Sequence, residues 1–400
     1  MNRDATTPDD ARGPMSWDTH WLHVVVRGDR GPRTLHEAET LARRGGDWTH
    51  LLRRVQHEAL VPHLAALLER LPSDCVPTDA RAALRARLVA HSARCLLSIQ
   101  QLISSMKALE AAGIEVLTFK GPVLGQLAFG DPLARAYVDV DLLVGRSDRH
   151  RAATILARLG YTPEWPVAPG AASFLRHSCS VALKHDRAGD LDLHWGLSTP
   201  LMPFALDRTG LGSRTRVIEV GDYPARTMGC EDTLLHACVH AARDDWIYWR
   251  AHADVAALLS RAESLNWPLL QRLARQTGTT RMLRIGLLLA MFRARATLPS
   301  AITTWARSDP QAVALAIDYQ ATLDAGRPAL QGTRRRIVRA AGLRERVGDK
   351  VLVVAGALAR ASEPRAAETW APWTWPIRRP LRLLRDVCGQ ERPPLGGQTP

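Results

Sequence analysis

Two short acidic patterns carry the chemistry that this 400-residue chain offers: Asp139-Val140-Asp141 and Asp190-Leu191-Asp192-Leu193-His194. In a β-strand, successive side chains point to opposite faces. Asp139 and Asp141 would therefore share one face, and Asp190, Asp192 and His194 would share another, with the apolar residues between them turned to a core. Two carboxylates side by side repel unless a cation sits between them, and Mg²⁺ is a hard ion that takes oxygen ligands. A D-x-D strand beside a strand bearing a further carboxylate could hold two divalent ions and clamp the attacking and leaving oxygens of a phosphoryl displacement.

Lys120-Gly121-Pro122 supplies the complementary charge. Glycine lets backbone approach a phosphate, a helix N-terminus offers free N–H groups, and lysine adds a point charge. Only Lys107, Lys120, Lys184 and Lys350 are lysines among 53 basic residues, so a lysine at this corner is itself informative. A solvated strand end remains the plain reading of D-x-D alone.

The elements needed to position these groups are legible. Ile114–Phe119 reads as a strand, Pro122–Phe129 as a short helix with proline in its first turn, and Val138–Val144 as a second strand. Ser147 is expected to cap a helix to Leu159, ended by Gly160. Ser180–His185 and Asp190–Trp195 form a hairpin across Asp186–Gly189, and Thr215–Thr227 forms another turning at Gly221-Asp222. Before this core, helical spacing runs from Leu35 to Ala112, with one helix from Ala80 to His91 or beyond and another over Leu96–Ala112 ending at Gly113. After Cys230 the pattern is helical to about Ala361. The expected fold class is α+β, a small mixed sheet flanked by helical lobes. The expected division is a disordered 1–15, a helical lobe 16–112, an α/β core 113–228, a helical lobe 229–361 and a Pro/Arg/Trp-rich tail 362–400.

Composition narrows the partners. Hydrophobic content of 46% and charged content of 23% are those of a globular protein. The net charge of +13 comes from scattered arginines without the clustered basic and aromatic residues of a nucleic-acid surface, so no nucleic-acid partner is expected. The six cysteines form no CxxC pair and read as reduced thiols. No secretory leader or membrane-length apolar run is visible, and a cytoplasmic protein is expected.

The order K-G, then R-x-x-x-D-V-D-L-L-V, then a helix ending L-G-Y, then D-L-H-W, resembles the bacterial nucleotidyltransferase-like family within the DNA polymerase β superfamily. Glu231 to His236, His240, Trp249 and Ala253-Asp254-Val255 extend the resemblance, which covers roughly residues 45–270. It implies a mixed-sheet nucleotidyltransferase core, Mg²⁺ as two ions, and a nucleoside triphosphate whose nucleotidyl group passes to an acceptor hydroxyl on a small molecule, peptide or protein. Asp139 and Asp141 match the paired metal ligands. Asp192 matches the third carboxylate, which helps activate the acceptor. Lys120 and Gly121 stand near the triphosphate where most of the superfamily has Gly-Ser or Gly-Gly. Arg135 is the expected second phosphate contact, and His194 is expected to touch metal or phosphate.

Other readings compete. Pro122 has neither hydroxyl nor N–H for a phosphate, which supports a degenerate nucleotide-binding or protein-interaction (antitoxin-like) protein. A metal-dependent phosphohydrolase is a third reading. His236 and His240, at i and i+4, are expected to pack the helix or to line the acceptor side of the cleft, because no H-E-x-x-H is present. His185-Asp186 falls in a turn and is not a phosphohydrolase doublet. Trp370, Trp373 and Trp375 with Arg378, Arg379 and Arg382 could touch a membrane surface or partner, against the plainer reading of a packed or disordered tail.

Overall fold

The structure, a computed structural model, describes residues 15–27, 29–164, 178–186, 189–197, 204–261, 265–325 and 333–360. The expectations for residues 1–14 and for the Trp/Arg-rich tail lie outside the described residues.

Four helices open the chain: α1 (Trp17–Val25), α2 (Pro32–Arg44), α3 (Trp48–His57) and α4 (Val61–Leu68). They bury Trp21, Leu22, Leu51, Leu60 and Leu64 in one cluster, which Trp249, Ala253 and Leu323 join from far along the chain. Next comes α5, a single helix of 34 residues from Thr78 to Ala111, where the apolar spacing had suggested two. Its Leu84 belongs to the N-terminal cluster, whereas Ile99, Leu102, Met106 and Leu109 belong to the core under the sheet. The apolar stripe changes partner midway, so its phase shifts although no proline or glycine interrupts the backbone.

The sheet follows. β1 (Val116–Phe119) leads into α6 (Gly121–Phe129), then β2 (Asp139–Val144), α7 (Arg149–Arg158), the two-residue β3 (Thr162–Pro163), β4 (Ser180–Lys184) and β5 (Asp190–His194). The strand order is β1-β2-β5-β4-β3. β2 and β5 are parallel, and the remaining pairs are antiparallel. The sheet is therefore mixed, and the α+β class expected from sequence holds. Val140, Leu142, Leu191 and Leu193 are all buried on one face against α5 and α7. On the opposite face Phe119 and Leu143 enter a third cluster.

That third cluster is built by the later helices: α8 (Cys230–Arg243), α9 (Trp249–Arg261), α10 (Trp267–Gln276), α11 (Thr280–Ala294), α12 (Ser300–Arg307) and α13 (Pro310–Asp324), followed by α14 (Thr333–Gly342) and α15 (Val347–Arg360). Between sheet and helices lies the hairpin of β6 (Thr215–Val220) and β7 (Tyr223–Met228), a separate two-stranded sheet. Among the described residues no helix is long and apolar enough to cross a membrane. Ser147 is not the cap of α7: Asp148 holds that position, and the Ser147 hydroxyl donates to its carboxylate instead.

Candidate active site

The site begins at the turn from β1 into α6. Lys120 has φ +59° and Gly121 φ +43°. With ψ −150°, Lys120 lies outside the left-handed helical well, in a region nearly reserved for glycine, which costs roughly 1–3 kcal/mol and persists where the surrounding structure imposes it. The turn aims the Lys120 side chain back over the sheet, where Nζ lies 3.0 Å from Asp141 Oδ1. Pro122 sits in the first turn of α6, where its missing N–H breaks no helical bond.

Register assembles the acids. In the parallel pair, Asp139 stands opposite Asp190, Asp141 opposite Asp192 and Leu143 opposite His194. Phe119 stands opposite Asp141 from the other side. Asp141 is 1% exposed and forms the centre. Its Oδ1 takes both Lys120 and His194 Nε2, each at 3.0 Å. Its Oδ2 is buried and has no hydrogen-bond partner among the described residues. Asp141, Asp192 and His194 bring ligand atoms within 4.8 Å of one another and could hold a metal ion. Asp139 is outside that tightest group but near enough for its charge to act on Asp192. Asp190 shares the face by register, yet its carboxylate is paired with Lys184 at the surface.

Electrostatics sort these groups. Burial would raise the Asp141 carboxyl, but Lys120 and the hydrogen-bonded, charged His194 hold it well below the usual range. Burial raises both Asp139 and Asp192, and the charge of Asp141 adds to each. Burial alone would lower His194, but its hydrogen bonds to Asp141 and Cys179 and the charge of Asp141 together outweigh burial and lift it to about 9. At neutral pH the core of the site is thus an ionised Asp141 between two cations. The oxygens of Asp139, Asp141 and Asp192 are donors that suit a hard divalent ion, and the His194 ring nitrogen, in the same cluster, can join them when deprotonated. The lone buried Oδ2 of Asp141 is an acceptor in want of a cation. The residues present fit the ion.

Two cavities flank this centre. A small one, about 50 Å³, opens between α6, α8 and α9 with Phe119 and Lys120 on its wall. A larger one, about 840 Å³, adjoins Leu117 and Leu143, two residues along the strands on the face of Phe119 and Asp141. The described residues lining either cavity do not include Asp139 or Asp192.

Residues 44–292 match the family described as uncharacterised nucleotidyltransferase. The chain belongs to that family. Comparison with curated proteins gives no match. Among solved structures, the antibiotic-resistance factor ANT(2'')-Ia is 14% identical, with 44% of this chain and 89% of that one covered at a TM-score of 0.31. A nucleotidyltransferase-like antigen from Paracoccidioides brasiliensis is 15% identical, with 51% and 96% covered at 0.34.

Within this family member, the residues marked by sequence fall into two sets. Lys120, Asp139, Asp141, Asp192 and His194 converge around the sheet. Arg135 does not reach them as a free cation: its Nε bonds both oxygens of Asp254, at 2.9 and 3.1 Å, on α9. His236 and His240 line the small cavity with Lys120, and His236 also packs edge-on against Phe119. Sequence reasoning missed Arg250 and Tyr248 on that wall. No spacing in the chain marks them, because their place depends on how α9 docks.

Proposed function

We propose that this chain is a nucleotidyltransferase of the DNA polymerase β superfamily that transfers a nucleotidyl group from a nucleoside triphosphate to an acceptor hydroxyl. The observation that carries the reading is the parallel β2–β5 register, which sets Asp192 beside Asp141 with Lys120 and His194 on the same carboxylate. The 113–228 segment would be the catalytic core, with helical lobes 16–112 and 229–361 on either side. A small molecule, peptide or protein would serve as acceptor.

Asp139, Asp141 and Asp192 would hold Mg²⁺, as two ions, and the metal would polarise the α-phosphoryl group and stabilise the leaving oxygen. Lys120 then has two roles. Without nucleotide it neutralises Asp141; with nucleotide present its ammonium can turn to the phosphates. The N-terminus of α6, whose first N–H groups are free of side-chain caps, supplies further donors to an anion. Asp192, which burial makes more basic than a surface carboxylate, would take the acceptor hydroxyl's proton. His194 keeps Asp141 ionised and oriented.

The test is incubation with each labelled nucleoside triphosphate and Mg²⁺ against candidate hydroxyl acceptors, beside Asp139→Ala/Asp141→Ala. Transfer is expected from the wild type only; label transfer surviving in the double variant would sink the assignment.

A further inference from the structure

The long helix α5 is buried along one side in two cores and turns a bare apolar stripe to solvent along the other. Val89 is 64% exposed, Leu96 53% and Leu97 55%, and Ala86 and Ala93 are exposed between them. Positions 86, 89, 93, 96 and 97 recur at the helical period, so these side chains form one ridge. At 1.5 Å per residue, Val89 to Leu97 spans roughly 12 Å.

The charge of α5 is one-sided. From Ala80 to Leu109 it carries Arg81, Arg85, Arg87, Arg94 and Lys107 and not one acid. Arg85 lies one turn before Val89 and Arg94 one turn before Leu97; both are exposed and make no ion pair among the described residues. Asp131 is the opposing charge, near enough to act on His91 and Cys95 as Arg94 does. Its carboxylate also accepts from the Leu133 N–H, so the arginines still outweigh it.

The stripe ends beside the carboxylates of β2. Three bonds tie the segments leading into β2 and β5 to this helix. His91 Nε2 donates to the Leu133 carbonyl at 2.8 Å, the Tyr137 hydroxyl to the Cys95 carbonyl at 3.4 Å, and Gln101 Nε2 to the Gly189 carbonyl at 3.1 Å. Val138, 80% exposed, follows Tyr137 and immediately precedes Asp139.

A bare apolar ridge beside unpaired cations suits a helix of the opposite pattern, with apolar anchors at i, i+3 or i+4 and i+7 and carboxylates alongside. A second copy of this chain is the wrong occupant, because it would bring the same arginines against Arg85 and Arg94. Nucleic acid would want aromatic side chains for its bases, and a bilayer surface a wider face with interfacial aromatics; α5 contains no Phe, Trp or Tyr. We propose that this face of α5, with Val138, docks an acidic amphipathic helix of a partner protein at the edge of the β2–β5 carboxylates. A contact of this size is transient rather than obligate. The docking does not depend on the transfer reaction, although a protein held there lies beside the proposed chemistry.

The experiment is fluorescence anisotropy of the full chain with labelled synthetic helical peptides of about 18 residues, five turns. One carries leucine at i, i+3, i+4 and i+7 with flanking glutamates, the second has lysine for glutamate, and the third has serine for leucine. The acidic amphipathic peptide is expected to bind at least tenfold more tightly than either control. Leu97→Asp should weaken it at least tenfold, and Arg85→Glu/Arg94→Glu should reverse the preference towards the lysine peptide, which a loss of folding could not do. Asp139→Ala/Asp141→Ala is expected to bind the acidic peptide as the wild type does, so a chain that docks but transfers no label loses only the transfer reaction. Absence of peptide binding, equal binding of the three peptides, or binding untouched by these substitutions overturns the proposal. So does tighter binding of anionic lipid vesicles or of single-stranded RNA, which would assign the face to another class of partner.

Discussion

Asp141 is the residue on which the site turns, and its behaviour with pH follows from its two partners. His194, lifted to about 9, carries a folded-state value above its ordinary 6.5. Its pairing therefore stabilises the fold fully below pH 6.5, and the contribution is lost as pH rises through about 9. Asp141, held low, adds stability that is present above the usual carboxylate range and lost only in strong acid. Melting temperatures followed across this alkaline window should decline in the wild type. His194→Gln should flatten the decline; an unchanged slope would show that another group titrates there. Asp141→Asn leaves two cations facing an uncharged amide at a buried position, a change that typically costs about 3–5 kcal/mol. Chemical denaturation should register that loss even with metal absent, which separates the structural role of Asp141 from its proposed catalytic one.

At the scale of elements, two features place the site: the β1–α6 turn and the long helix beneath the sheet. A methyl at Gly121 would meet only the Asp139 carbonyl, at 3.4 Å. The cost of Gly121→Ala is thus set by φ +43° and should be about 1–2 kcal/mol. Nucleotide affinity should fall further than this stability loss implies, because Lys120 is aimed by the same turn; calorimetry on the folded variant decides. In α5, Leu84 and Leu102 are buried in different clusters. Truncating either to alanine should cost about 2–5 kcal/mol. If α5 is one rigid helix, circular dichroism and tryptophan fluorescence should report a single shared transition in both variants, whereas two separated transitions would mean that the helix breaks between its cores.

For the molecule as a whole, the clustered acids predict a response to metal. Asp139 and Asp192 are both raised by burial and by the charge of Asp141, so a divalent ion that neutralises them should stabilise the fold by mass action. Mg²⁺ titration should raise the melting temperature of the wild type and leave Asp141→Asn unmoved. Much of this was legible in the chain. Alternation around Val140 and Leu191 fixed which carboxylates share a face, glycine and proline marked the β1–α6 corner, and the family resemblance pointed to nucleotidyl transfer. These are local properties, because strand period and turn chemistry act over a few residues. The long-range facts were not legible. That Lys120 and His194 both lie on Asp141 depends on the β1–α6 turn and the pairing of β2 with β5, whereas the claim of Asp254 on Arg135 and the meeting of His236 and Arg250 on one cavity wall depend on the docking of α8 and α9. Such placements are decided by packing between separate segments, up to 119 residues apart for Arg135 and Asp254, and no spacing within any one segment records them.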